Sequence, residues 1–193
     1  MNSTAKKFEN TNSSVIWHKV LTEAKKHCEH FTKPDLPANV EKMIEVAQDF
    51  DAKPDFHLDY DSSKVKIAGL DDEYRACAQP RKRAYLKSNA SDLLEKIKTD
   101  GELHNPIFVA IWRDNFGVPI NNHRWEGMEI IKSDEEICDQ FNLKVITLDV
   151  SHLSKKDFKD FLIKISDFSN FLPESLPAPT DRESHINMVK RWR

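Results

Sequence analysis

Glycine is scarce in this chain: only 4 occur among 193 residues. Each is therefore expected to mark a turn or the end of a helix. Cysteine is nearly as rare. Cys28, Cys77 and Cys138 are far apart and form no CxxC pair, so neither a zinc framework nor a disulfide scaffold is indicated. Three separate buried thiols in a reducing compartment is the plain reading. No apolar run reaches membrane-spanning length, and the first residues lack the apolar stretch of a signal peptide. A cytoplasmic location without a membrane partner is the default expectation. Excess positive charge is missing too. With 29 Lys and Arg against 32 Asp and Glu, the net charge is -3, which argues against a protein coated in basic charge for nonspecific DNA binding. A local basic groove stays compatible with that total.

The length suits one domain with an extension and is enough to bury a core. Residues 1–14 are polar and are expected to be disordered or frayed. From Val15 to Phe31, apolar residues Val15, Ile16, Val20, Leu21, Ala24, Cys28 and Phe31 recur at near-helical spacing. Pro34 and Pro37 break that helix, and Val40, Met43, Ile44, Ala47 and Phe50 make a second amphipathic stripe. A helical hairpin is thus expected within an extension spanning 15–60. Residues 51–63 are acidic and read as irregular.

The main domain is expected over 61–170. Val65 and Ile67 alternate with polar residues as in a short strand. Asp92 to Asp100 reads as a helix, with Leu93, Leu94 and Ile97 on one face and Gly101 at its stop. Ile107 to Arg113 is nearly all apolar and should be a central strand. A turn through Asp114–Gly117 leads to Val118-Pro119-Ile120, where Pro119 demands an edge or a very short strand. A helix from Arg124 to Ile131 follows. Ser133 with Glu136 caps another helix, Lys144 to Val150 is a strand, and Ser154 with Asp157 opens a helix through Ile165. Residues 171–193 read as a proline-rich linker and a last helix. The fold class is α+β, a small mixed β-sheet with surrounding helices, preceded by the helical hairpin.

The chemistry gathers at Asn122-His123-Arg124-Trp125-Glu126-Gly127. A His-Arg pair at a strand-to-helix junction puts a fork of donors where a helix N-terminus already favours anions. Arg124 can hold a phosphate in a bidentate way, with a structural carboxylate as the competing partner. His123 can act as general acid or base, or ligate a metal. Glu126 lies three residues on and could share a divalent ion, Mg or Mn, or activate water. Trp125 is expected in the core. Arg75, Arg81 and Arg83 form a basic cluster that could follow a nucleic-acid backbone.

The run from about Arg75 to Asn170 resembles the ParB/sulfiredoxin superfamily. A helix ending at Ile97–Leu103 comes first, then Asn105-Pro106-Ile107-Phe108-Val109 like the family's Pro-Ile-x-Val strand. After a turn, Asn122–Gly127 is similar to its Gly-His-Arg-Trp-x-Ala helix start, and Lys144–Val150 with the next helix closes the pattern. The resemblance implies a small mixed sheet with helices around it, and a nucleotide or nucleic-acid phosphate at the Arg124 position. It also places Arg75, Arg81 and Arg83 beside the nucleotide pocket and Asn170 among the phosphate contacts. Sulfiredoxins carry a catalytic Cys just before the His-Arg pair; Asn122 stands here, so sulfinic-acid reduction is not expected. Partition proteins continue into further DNA-binding and dimerisation domains, for which little chain follows Asn170.

Two enzymatic expectations follow. One is a ParB-like nuclease or nucleic-acid-binding protein, performing metal-assisted phosphodiester hydrolysis, with His123 and Glu126 catalytic and Glu126 on the metal. The other is an ATP- or CTP-dependent phosphotransferase, NTPase or nucleotide-binding switch, with Asn122, Arg124 and Asn170 on the phosphates and Glu126 as base toward a small hydroxyl acceptor. A third expectation is non-enzymatic binding of nucleic acid or protein, with the N-terminal hairpin as the partner surface.

Overall fold

A computed structural model describes residues 11–28, 36, 38–69, 71–78, 106–120, 125, 126, 128, 129 and 143–169. Its architecture is mixed α+β. Four α-helices among these residues, α1 (Thr11–His27), α2 (Ala38–Asp49), α3 (Glu73–Ala78) and α4 (Lys155–Ser169), accompany one five-stranded sheet. The strands are β1 (Lys53–His57), β2 (Lys66–Ile67), β3 (Ile107–Trp112), β4 (Phe116–Pro119) and β5 (Val145–Asp149), in the spatial order β1-β5-β3-β4-β2.

The central strand is β3, as its unbroken apolar run requires. It pairs parallel with β5, Ile107 opposite Val145, and antiparallel with β4, Ala110 opposite Val118. The β3–β4 connection is a short 3-10 turn, Arg113–Asn115, in which Asp114 and Asn115 have φ of 55° and 54°. Asp and Asn are the non-glycine residues that best tolerate this left-handed region. Pro119 meets its constraint in an unforeseen way. β4 lies inside the sheet, but its outer neighbour β2 pairs only with Phe116 and Gly117, so Pro119 has no ladder partner on that side to disappoint.

Two readings of the N-terminal part are corrected. Residues Thr11–Ser14, inside the stretch expected to fray, are already helical as part of α1. Residues 53–57, read as irregular, form β1 and pair antiparallel with β5, from Lys53 opposite Asp149 to His57 opposite Val145. Pro54 fits because β1 is an edge strand. Between α2 and β1 the chain turns through Asp51 at φ 51°, with Ala52 N–H bonded to the Ala47 carbonyl at 2.8 Å and Asp51 N–H to Gln48 at 3.0 Å. This is a Schellman stop with Asp where glycine is usual.

Strand alternation divides the core. One face presents Phe108, Ala110, Val118, Ile146 and Leu148 to the helices. Trp17, Val20 and Ala24 of α1, Val40, Met43 and Ala47 of α2, and Phe158, Phe161, Leu162 and Ile165 of α4 fill that side. The intervals of three and four along each helix are what one buried stripe needs. The opposite face presents Ile107, Val109 and Val145, covered by Tyr60, Trp125, Met128 and Leu143. Helix α4 starts where its capping box places it. The Asp157 N–H donates to Ser154 Oγ at 3.2 Å, and Ser154 Oγ donates to the Asp157 carboxylate at 2.6 Å. Lys144, buried just ahead of β5, reaches back to the His27 carbonyl at 2.6 Å and so neutralises the negative end of α1.

Candidate phosphate site

β4 delivers the chain to Ile120, which is buried and keeps the ladder going one step further through its N–H to the Phe108 carbonyl at 2.9 Å. The chain is helical at Trp125, Glu126, Met128 and Glu129. Trp125 and Met128 are buried three residues apart against Ile107, Val109 and Val145, which puts the indole in the core as expected. Asn122, His123 and Arg124 lie outside the described residues, as do Asn170, Arg81 and Arg83. Their flanks are nevertheless defined. Before the His-Arg pair in the chain comes an inner strand, and after it come the helical residues Trp125 and Glu126.

Of the expected site residues, Glu126 and Arg75 are described, and they are partners. Arg75 donates to Glu126 Oε1 at 2.8 Å, although 51 residues separate them in the chain. The other arm of its guanidinium donates to the Ala68 carbonyl at 2.8 Å. Both side chains are withdrawn from solvent, 4% exposed for Arg75 and 16% for Glu126. Burial pulls the Arg75 pKa down, and the Glu126 charge and hydrogen bond push it back. Removing the Glu126 carboxylate would take from this buried guanidinium its ionic partner, which is strongly unfavourable.

This arrangement corrects the reading of Arg75 as a residue that follows a nucleic-acid backbone. It sits on the first turn of α3, whose Asp72 cap accepts the Tyr74 N–H at 2.8 Å, and its side chain turns inward. The sequence offered no sign of this, because the acceptor lies on a distant segment. Glu126 is placed differently as well. The Glu126 carboxylate, expected to hold a divalent cation or activate water, accepts from the Arg75 guanidinium through its Oε1. No step through a metal is derived from it. Among the described residues no group of three or more His, Cys, Asp or Glu side chains is placed to hold a metal ion.

Compared with family models, curated proteins and solved structures, the chain matches none. Among the described residues no helix is long and apolar enough to cross a membrane.

A second polar group occupies the sheet face that Trp125 covers, towards the β1 edge. His57 Nε2 lies 3.1 Å from Thr147 Oγ1 and 3.6 Å from the Asp55 carboxylate. The Tyr60 ring meets His57 edge-on at 5.3 Å. Its hydroxyl is buried without a hydrogen-bond partner, and burial pushes the phenol pKa up to about 12. Sequence reading missed this group because β1 itself was missed.

Proposed function

We propose that the protein is a phosphate-binding domain of the ParB/sulfiredoxin type that handles a nucleotide, ATP or CTP, at Asn122, His123 and Arg124. The observation that supports this reading is a strand running to buried Ile120 and helical backbone at Trp125 and Glu126, with the His-Arg pair between them in the chain. In this reading the His-Arg pair heads that helix, and a helix N-terminus offers backbone N–H groups and a positive dipole to an anion. The order of the elements also supports the resemblance. Pro106–Val109 leads into the central strand, the His-Arg run follows its hairpin partner, and the closing strand β5 lies beside β3. In this reading Arg124 forks onto the phosphate oxygens and His123 moves a proton to or from an acceptor hydroxyl. Asn170 remains a candidate phosphate contact.

Metal-assisted DNA cleavage is the second reading, and the Arg75–Glu126 pair weighs against it. A nuclease needs a positive groove and a water-activating or metal-holding carboxylate, and this pair withdraws one basic and one acidic candidate from those tasks. Arg81 and Arg83 are the residues left to guide a strand.

Calorimetric titration of the wild type with ATP and with CTP, beside Arg124→Ala, tests the proposal. One nucleotide should bind, and the variant should weaken it by about tenfold or more, the loss expected for a charge-assisted contact. Nicking of supercoiled DNA with Mg²⁺ or Mn²⁺, abolished by both His123→Ala and Arg124→Ala, would instead establish the nuclease. Absence of both activities would leave non-enzymatic binding.

A further inference from the structure

The outer edge of β1 is open. On the inner side, the Ile107 N–H donates to the Lys144 carbonyl at 3.0 Å and the Val150 N–H to the Ile111 carbonyl at 2.8 Å. Even-numbered residues along β5 therefore turn their backbone groups to β3, and Val145, Thr147 and Asp149 turn theirs to β1. Their partners there are His57, Asp55 and Lys53. Pro54 and Phe56 consequently turn their backbone groups away from the sheet, and among the described residues nothing bonds the Phe56 N–H or carbonyl. An edge of this kind is a template for a further strand.

We propose that this edge pairs with the same edge of a second copy of the chain, antiparallel about a two-fold axis at Phe56. A two-fold pairing makes every contact twice, so charge and hydrogen bonding decide among the registers. Centred on Asp55, the pairing would oppose two Asp55 carboxylates. Centred on His57, it would oppose Asp55 to the partner's Asp59. Centred on Pro54, the residues at the axis would lack the N–H groups that should join them, and the Ala52 N–H is already held by the Ala47 carbonyl. Centred on Phe56, Asp55 stands opposite the partner's His57, a carboxylate against an imidazole, on one face of the sheet. The Asp55 side chain is 73% exposed and that of His57 34%, so both can be reached. On the other face Leu58, 38% exposed, comes opposite the partner's Pro54. Phe56 exchanges N–H and carbonyl bonds across the axis, and the Leu58 N–H meets the partner's Pro54 carbonyl. Pro54 thus leaves the edge open while removing one donor, and that loss helps to select the register.

Sedimentation of the wild type over a range of concentrations should show a monomer–dimer equilibrium. In a sample mixing isotope-labelled with unlabelled chains, the Asp55 Hα should show a magnetisation-transfer contact to the partner's His57 Hα, because directly opposed residues that are not hydrogen-bonded to each other come closest. Asp55→Lys with His57→Lys in one chain, and His57→Asp in another, each set like charges opposite one another. Each should weaken self-association by about tenfold or more. Mixed together, the two variants should associate again as a heterodimer, a rescue that damage to the fold of either would not produce. The contact between wild-type chains decides the matter if a variant does not fold. A wild type still monomeric at about 1 mM would overturn the proposal. So would a dimer without the Asp55–His57 contact, or a Phe56 amide protected from exchange in the monomer, which would show the edge covered by the chain itself. None of these outcomes depends on the nucleotide reading.

Discussion

The two faces of the sheet are built on different terms. The helix-covered face carries the larger apolar cluster; there the Trp112 indole N–H donates to the Leu153 carbonyl at 3.0 Å while its ring stacks on Phe158 at 4.7 Å, and the Trp17 indole N–H is buried with no partner among the described residues. The opposite face has a smaller apolar cluster, a buried phenol hydroxyl without a partner, and a His–Thr–Asp group at its β1 edge. Stability is concentrated on the first face. Each face holds one buried polar atom without a partner among the described residues, and the second adds the His57 group at its β1 edge.

The largest test of this contrast is Phe158→Ala. Phe158 is fully buried and touches Trp112 and Tyr74, so its truncation should lower unfolding free energy by about 3–5 kcal/mol. Denaturant titration would show a lower midpoint, and an unchanged midpoint would mean that this face is not the stabilising one.

Gly117→Val probes the second face. A Cβ there would lie 2.6 Å from Val65 Cγ1 and 2.9 Å from Ile67 Cδ1. The substitution should cost about 1–3 kcal/mol, as overpacking does, and should loosen β2 before the rest of the sheet in exchange measurements.

Tyr60→Phe should run the other way. Removing an unsatisfied buried hydroxyl should leave stability at neutral pH equal or slightly higher, by up to about 1 kcal/mol. The wild type should also lose stability as pH rises from about 10 towards 12. Its phenol holds a proton in the folded state that the unfolded chain releases first, so the folded state binds more protons across that window. The loss should approach 2–3 kcal/mol, roughly two pKa units' worth, and Tyr60→Phe should abolish that part of the alkaline transition. An identical alkaline limb in both proteins would place the phenol in solvent.

The smallest effect should come from Glu73→Gln. Lys159 first and Lys155 next hold the Glu73 carboxyl below its usual range, yet the group is solvent-exposed and screened. The melting temperature should barely move, and less still in high salt.

The elements legible in the sequence were those whose signal is local. β3 announces itself by its unbroken apolar run, β5 by Val145, Ile146 and Leu148, and α4 by the Ser154–Asp157 box. β1 was illegible because Lys53-Pro54-Asp55-Phe56-His57 has weak strand character of its own and becomes a strand by pairing with β5. Helix α3, six residues long, is too short for periodicity to register. The phosphate site divides the same way. The His123-Arg124 motif could be read from adjacent residues, whereas the Arg75–Glu126 pair depends on a tertiary contact that no spacing encodes. Arg75 looked like a surface cation because arginine usually is one.

The edge strand β1 also sets a clock. His57 meets Thr147 across 90 residues of chain, and a ribosome working at about 5–20 residues per second needs roughly 5–18 s to make that span. Throughout that interval β1 has no strand to join, and the amphipathic α1 and α2 are without the Phe158–Ile165 stripe that later covers them. The newborn N-terminal third therefore keeps its apolar stripes uncovered until β5 and α4 emerge, and slower translation of the stretch between them would lengthen that exposure.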